Sequence, residues 1–375
     1  MSTRHRTIGR RSLARLGLAL PLAAVLLAVL AGPAAAHGVG VGLRPTNYLT
    51  TVTAITPALP ALDVRILEAG DKIELTNRTG QEVVVLGYNS EPYLRIGPAG
   101  VYRNERSPTT YQNRFSTPPK ASQIPPDLSP SATPEWRRIG PGPTAVWHDH
   151  RSHREGLETP PEVRQAPGRR HVVVPNWQIP VRQGSRTFII SGTITWVPGP
   201  SPWPWVLGAV LLCAGVILAS HTRRWREALV AATSAAVVAD VLHTAGSWIA
   251  STASSAVKTY GMSVSAAAWV VGALAVVRLL RGRDEAARPY LLLAGVFLLL
   301  AGGVLDLPTL GRSQLPSALG PTATRAVVTV VLGLGAGIVF VALRGLPEPP
   351  RRRAGSGRPH PGAARRPPQR PPQRR

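Results

Sequence analysis

Three of the chain's nine histidines fall within seven residues, Trp147-His148-Asp149-His150-Arg151-Ser152-His153. On a β-strand His148 and His150 project to one face, and Trp147, Asp149 and Arg151 to the other. Two imidazoles at that spacing can share a metal ion, with His153 closing in from the turn that follows. Nitrogen and carboxylate donors suit copper(II), zinc or nickel, and copper is the expected cofactor. The competing arrangement is a hydrogen-bonded loop in which Asp149 pairs with Arg151 or Arg154 and the imidazoles are merely exposed. A second polar group lies in apolar sequence. Asp240 and His243 are three residues apart, hence on one helix face that Thr244 and Ser247 extend. Ionisable residues in a membrane are costly and often functional; a proton relay, an intramembrane metal site and a helix-pairing contact are the open readings. No G-x-S-x-G elbow, P-loop, H-E-x-x-H or nucleotide fingerprint occurs, so no catalytic residue is expected and the chain reads as a non-enzyme.

The elements that must position these residues follow from composition and hydropathy. Arg outnumbers Lys 40 to 3, and the net charge is +24. That charge is not a nucleic-acid footprint, because most of it flanks apolar runs: residues 1–15 hold five Arg and no acid, and 345–375 hold nine Arg and one Glu. Segment 37–202 is close to balanced, with 18 basic and 13 acidic residues. The single cysteine, Cys213, excludes an intramolecular disulfide, Cys-rich zinc sites and iron–sulfur clusters.

Residues 1–36 have the charged region, apolar run (Leu16–Ala31) and Ala34-Ala35-Ala36 site of a signal peptide. Cleavage there makes His37 the first mature residue. From Trp203 onward, apolar runs at about 204–221, 227–250, 263–281, 289–306 and 323–344 predict five transmembrane helices over 202–344, each near the ~20 residues a bilayer requires. The links 221–226 and 278–288 are Arg-rich, whereas 251–262 and 307–322 hold only Lys258 and Arg312. Positive-inside counting puts the first pair and the tail in the cytoplasm and the second pair outside. The expected location is therefore the cell membrane, with residues 37–201 extracytoplasmic and 345–375 a disordered basic cytoplasmic tail. Gly302-Gly303 and Gly333, Gly335 and Gly337 predict close helix packing.

Residues 37–201 read as an all-β sandwich, cupredoxin- or immunoglobulin-like. Tyr48–Ile55, Leu62–Leu67, Lys72–Asn77, Glu82–Gly87 and Thr187–Trp196 are Val-, Ile- and Thr-rich runs with Gly-containing turns between several of them, and 106–143 reads as a long loop. The stretch Ala69-Gly70-Asp71-Lys72-Ile73-Glu74-Leu75-Thr76-Asn77, followed by Glu82-Val83-Val84-Val85, resembles the early hairpin of cupredoxin-like domains. The blue-copper thiolate of such domains has no counterpart here. Ala36 followed by His37-Gly38 resembles the start of secreted copper-resistance proteins, which are sandwiches and are sometimes fused to membrane helices. That resemblance implies a copper chelate from the His37 α-amine and imidazole. The whole architecture resembles a group of actinobacterial membrane proteins with an exported W-H-D-H-R segment before a multi-helix half; no activity comes with it.

Two functions follow as expectations. In the first, an extracytoplasmic domain captures a metal ion through His148, His150 and His153, with His37 a fourth ligand and Asp240 and His243 a relay. In the second, the domain is an envelope module that binds a protein or cell-wall partner, whose identity the sequence does not give. Metal capture requires the imidazoles to converge; partner binding requires an exposed apolar patch.

Overall fold

A computed structural model describes residues 44–115, 119–154 and 158–346; the leader, His37 and the basic tail lie outside the described residues. The amino-terminal half holds ten strands: β1 (Tyr48–Thr56), β2 (Leu62–Leu67), β3 (Lys72–Asn77), β4 (Val83–Leu86), β5 (Pro92–Gly97), β6 (Gly100–Asn104), β7 (Trp136–Gly140), β8 (Thr144–His148), β9 (His171–Gln183) and β10 (Arg186–Trp196). They form two antiparallel sheets, ordered β1-β10-β9-β4-β5-β6-β7 and β2-β3-β8. Alternation decides the faces: in β3, Ile73 and Leu75 turn inward, and in β10, Phe188, Ile190 and Ile194 do. Ile73, Leu75 and Trp147 of the small sheet share one core with Val85, Ile96, Trp177, Ile179 and Ile190 of the large one.

The five predicted strands are present to within one or two residues at their ends. The long loop expected over 106–143 is corrected: it contains a short helix α1 (Pro108–Gln112) and the edge strand β7, which pairs with β6. β7 reads WRRIG, with both arginines exposed, and so lacks the apolar alternation of a half-buried strand. Strand β9 was also illegible, because Pro175 and Pro180 interrupt it. The fold tolerates them because β4 meets β9 only at Val181 and Arg182, beyond both prolines.

The carboxy-terminal half is helical: α3 (Trp203–Ala219), α4 (Trp225–Ala250), α5 (Ser255–Gly261), α6 (Ser263–Leu280), α7 (Asp284–Ala301) and α8 (Pro321–Arg344); a smaller helix, α2 (Pro161–Gln165), lies earlier in the β region. Three of them, α4, α6 and α8, are long and apolar enough to cross a membrane. A fourth span is possible if α7 and the 3₁₀ turn Val304–Leu310, bent by 43° from it, count as one. The remaining apolar helix, α3, has 17 residues. The helix expected over 289–306 therefore breaks at Gly302-Gly303. A Cβ on Gly302 would lie 2.1 Å from the Asp240 carboxylate, so this glycine admits an acid to the helix backbone. Gly333 and Gly337 do pack closely: a Cβ on either would meet α3 within 2.8 Å.

The two halves are tied together by hydrogen bonds. Thr46 and Gln314 exchange both backbone bonds (3.0 and 2.8 Å), Ser313 N donates to Asn47 Oδ1, and Ser313 Oγ donates to Val197 O. Glu68, whose side chain is fully buried, accepts from Thr252 N and Oγ1 at 2.6 Å each and pairs with Lys72 at 3.0 Å. Glu68 and Ala69 hold φ of 52° and 57°, a left-handed turn that costs an L-residue about 1–2 kcal/mol. Ala69→Gly is expected to raise stability by roughly 0.5–1 kcal/mol once glycine's own chain entropy is counted. The thermal unfolding midpoint reads this out, and an unchanged or lower midpoint would show the turn to be unstrained.

Candidate functional site

The histidine segment begins on β8. Its register against β3 sets Trp147 opposite Ile73 and His148 opposite Lys72. Trp147 turns into the core and His148 turns out of it. The strand ends at His148, so the expected alternation through residue 150 does not occur; a turn replaces it, closed by Ser152 N and Oγ donating to Asp149 O at 3.1 Å each. The turn nevertheless brings the imidazoles together. His148 Nε2 lies 3.2 Å from His150 Nδ1, and the rings of His148 and His153 have centroids 5.3 Å apart.

Buried electrostatics build the turn. Asp149 is fully buried and paired to Arg151, with Arg151 Nη2 to Oδ2 at 2.8 Å, Nε to Oδ1 at 2.9 Å, and Trp147 Nε1 donating at 3.0 Å. Burial by itself would raise the Asp149 pKa; the Arg151 charge and these donors outweigh it and hold the carboxyl below its ordinary value. Arg151 also donates to Leu86 O and lies 4.9 Å from the Tyr88 ring centroid. The Tyr88 hydroxyl bonds Asn113 Oδ1 and accepts the His150 amide at 3.0 Å; burial, then the Asp149 charge, push its pKa up. The Asp149–Arg151 pair expected of a hydrogen-bonded loop is present, while the imidazoles are not merely exposed: the His148 side chain is 10% exposed and lies against His150.

Each imidazole has one nitrogen at a backbone carbonyl: His148 Nδ1 at Asp71 O (2.8 Å), His150 Nε2 at Gln112 O (3.1 Å) and His153 Nδ1 at Gly70 O (3.3 Å). A carbonyl only accepts, so these nitrogens carry the protons. His148 Nε2 and His150 Nδ1 are in turn within hydrogen-bond distance of each other at 3.2 Å, so the two rings are coupled directly. Backbone acceptors that fix the tautomer in this way are the usual outer support of metal-binding histidines. The Asp71 carboxylate adds to it, 3.3 Å from His148 Nδ1. Burial opposes its ionisation, but the contact with His148 holds its pKa low.

The supports come from elements that the histidine motif does not advertise. Glu91, buried, accepts from Ser107 Oγ (2.8 Å) and Thr109 Oγ1 (2.7 Å), and so fixes α1, which presents Gln112 O to His150. Asp71 was visible only as a turn residue, and Tyr88 carried no signal. Among the described residues no group of three or more His, Cys, Asp or Glu side chains is disposed to hold a metal ion. Known protein families, curated proteins and solved structures offer no match to the chain.

In the helical half, Asp240 and His243 share a face of α4 but bond elsewhere. Asp240 accepts from Trp269 Nε1 of α6 at 2.7 Å, and His243 Nε2 lies 3.0 Å from Asp306 Oδ2. Asp306 is the only acid in the apolar stretch 289–306, a signal that marks it in the sequence. His37, the remaining candidate ligand, lies outside the described residues.

Proposed function

We propose that the chain is a multi-pass membrane protein whose extracytoplasmic β domain, a sandwich, captures a divalent metal ion, copper(II) before others. The observation that carries this reading is the His148–His150 pair. Its facing nitrogens are 3.2 Å apart, the spacing of two ligands that share one ion at about 2.0–2.1 Å. With nitrogen donors and no thiolate, affinity among divalent ions peaks at copper. His153, whose ring centroid lies 5.3 Å from that of His148, is the neighbouring donor. The proposed topology has a signal peptide, five crossings that include the short α3, and a cytoplasmic tail. Hydrogen bonds from the β domain to Thr252, Ser313 and Gln314 support it, because those residues belong to the two Arg-poor links. The partner-binding alternative has less to stand on: among the described residues, the large apolar side chains exposed on the β region are Ile139, Val146 and Val172 on three separate strands and Phe115 in the bend after α1.

Calorimetric copper(II) titration of the detergent-solubilised protein, beside a His148→Ala/His150→Ala variant, tests the reading. One ion per chain is expected, with affinity lowered by at least about 100-fold in the variant, the upper range seen when a metal site's support is removed. Equal affinity in the two proteins would overturn it and put envelope-partner binding in front.

A further inference from the structure

Beneath the β domain the helical half encloses a cavity of ≈ 420 Å³, within the size range of small-ligand sites. Its walls mix apolar surface from Trp248, Met262 and Leu305 with charge from Arg44, Lys258, Arg312 and Asp306. Links outside a membrane avoid cations, and Lys258 and Arg312 are the only two in the links 251–262 and 307–322. Both line this one cavity. Lys258 Nζ donates to Trp248 O at 2.9 Å and lies 5.4 Å from the Trp248 ring centroid, which keeps the ammonium at the cavity wall with donors to spare. Arg312 is anchored through its own carbonyl, which accepts from Arg325 Nη2 at 2.7 Å. Against three cations the lining sets one carboxylate, Asp306, already engaged by His243. A metal cation would meet a net repulsive field here, so the cavity is not a continuation of the His148–His150 site.

His243 adds a directional requirement. Its Nε2 is held by Asp306, while its Nδ1 is buried and has no hydrogen-bond partner. With Nε2 carrying the proton toward the carboxylate, Nδ1 is an acceptor on a residue that lines the cavity. We propose that this cavity binds a hydroxyl-bearing phosphoester, the headgroup chemistry of phosphatidylglycerol: Lys258, Arg312 and Arg44 take the phosphate, His243 Nδ1 accepts from the hydroxyl, and Trp248, Met262 and Leu305 cover the apolar part. Lys and Arg are the residues suited to a phosphate. The same chemistry is offered by an outer-leaflet lipid or by a free glycerol phosphate.

The test is equilibrium binding to the detergent-purified full chain by native mass spectrometry, with phosphatidylglycerol, phosphatidylcholine and glycerol 3-phosphate as probes. Phosphatidylglycerol is expected to bind at least about tenfold tighter than phosphatidylcholine, and Lys258→Gln/Arg312→Gln to lose at least about tenfold, the loss expected for a charge-assisted hydrogen bond. His243→Leu is expected to weaken phosphatidylglycerol as well. Should the double variant fold poorly, Arg44→Gln, on an exposed residue ahead of β1, gives the same readout. Binding of glycerol 3-phosphate at comparable strength assigns the soluble source; binding of the lipid alone assigns the membrane. Phosphatidylcholine bound as tightly as phosphatidylglycerol, or phosphatidylglycerol bound undiminished by the Lys258, Arg312 and Arg44 variants, overturns the proposal.

Discussion

Asp149→Ala is expected to destabilise the β region by about 3–5 kcal/mol, the cost of removing one partner from a buried ion pair. The Asp149 side chain has no exposed area and the Arg151 side chain is 17% exposed, so the guanidinium left behind could not recover its hydration. Trp147 Nε1 and the Arg151 amide would lose their acceptor in the same step. Urea unfolding followed by tryptophan fluorescence measures the loss; Asp149→Ala/Arg151→Met should cost less than Asp149→Ala alone, because it leaves no orphan charge. A single-variant loss below about 1 kcal/mol would show that the pair is solvated, as exposed pairs are. The pH dependence has a fixed sign. Asp149 and Asp71 both titrate below their ordinary value when folded, so their contribution is complete above the unfolded pKa of about 3.9 and is lost as pH falls through the depressed folded values. Wild-type stability should therefore fall below about pH 4, and the Asp149→Ala protein should show a shallower decline. The same substitution loosens the turn that carries His150, so copper affinity should drop with it.

Trp177→Ala is expected to cost about 3–5 kcal/mol, the range for removing a large aromatic from a core. Trp177 is 3% exposed, and its β9 position lies directly across from Gly192 of β10. The indole occupies the place of a side chain at 192: a Cβ there would come within 2.2 Å of the ring and 2.0 Å of Thr51 O. One large residue thus fills the space of two across three strands, and its removal leaves a void that the β1–β10–β9 ladder cannot close. Trp177→Phe should retain most of the stability, because the indole N–H has no hydrogen-bond partner to lose. Thermal unfolding of the two variants separates the explanations: equal losses would mean that the polar edge of the ring, and not its volume, is what counts.

The sequence by itself determined those parts of the protein that depend on local periodicity. Five β runs, the apolar segments from Trp203 onward and the breaks between them follow from hydropathy and turn chemistry, because each element buries a face that its own residues define. The histidine segment was legible for the same reason, as a dense run of scarce residues. The tertiary structure alone decided what that run does. His148 and His150 meet through a turn folded around the buried Asp149–Arg151 pair and not through strand alternation, since a buried charge must find its counter-charge before the backbone can continue extended. The backbone acceptors that orient the rings, Asp71 O, Gln112 O and Gly70 O, arrive from positions 38 to 83 residues away, and no spacing rule reaches across that distance. In the helical half the sequence marked Asp240 and His243 as neighbours on one face, yet each bonds to a different helix or turn. Helical spacing fixes which residues share a face; packing fixes what that face meets, and only packing brings His243 to Asp306 and Lys258 to Arg312 around one cavity.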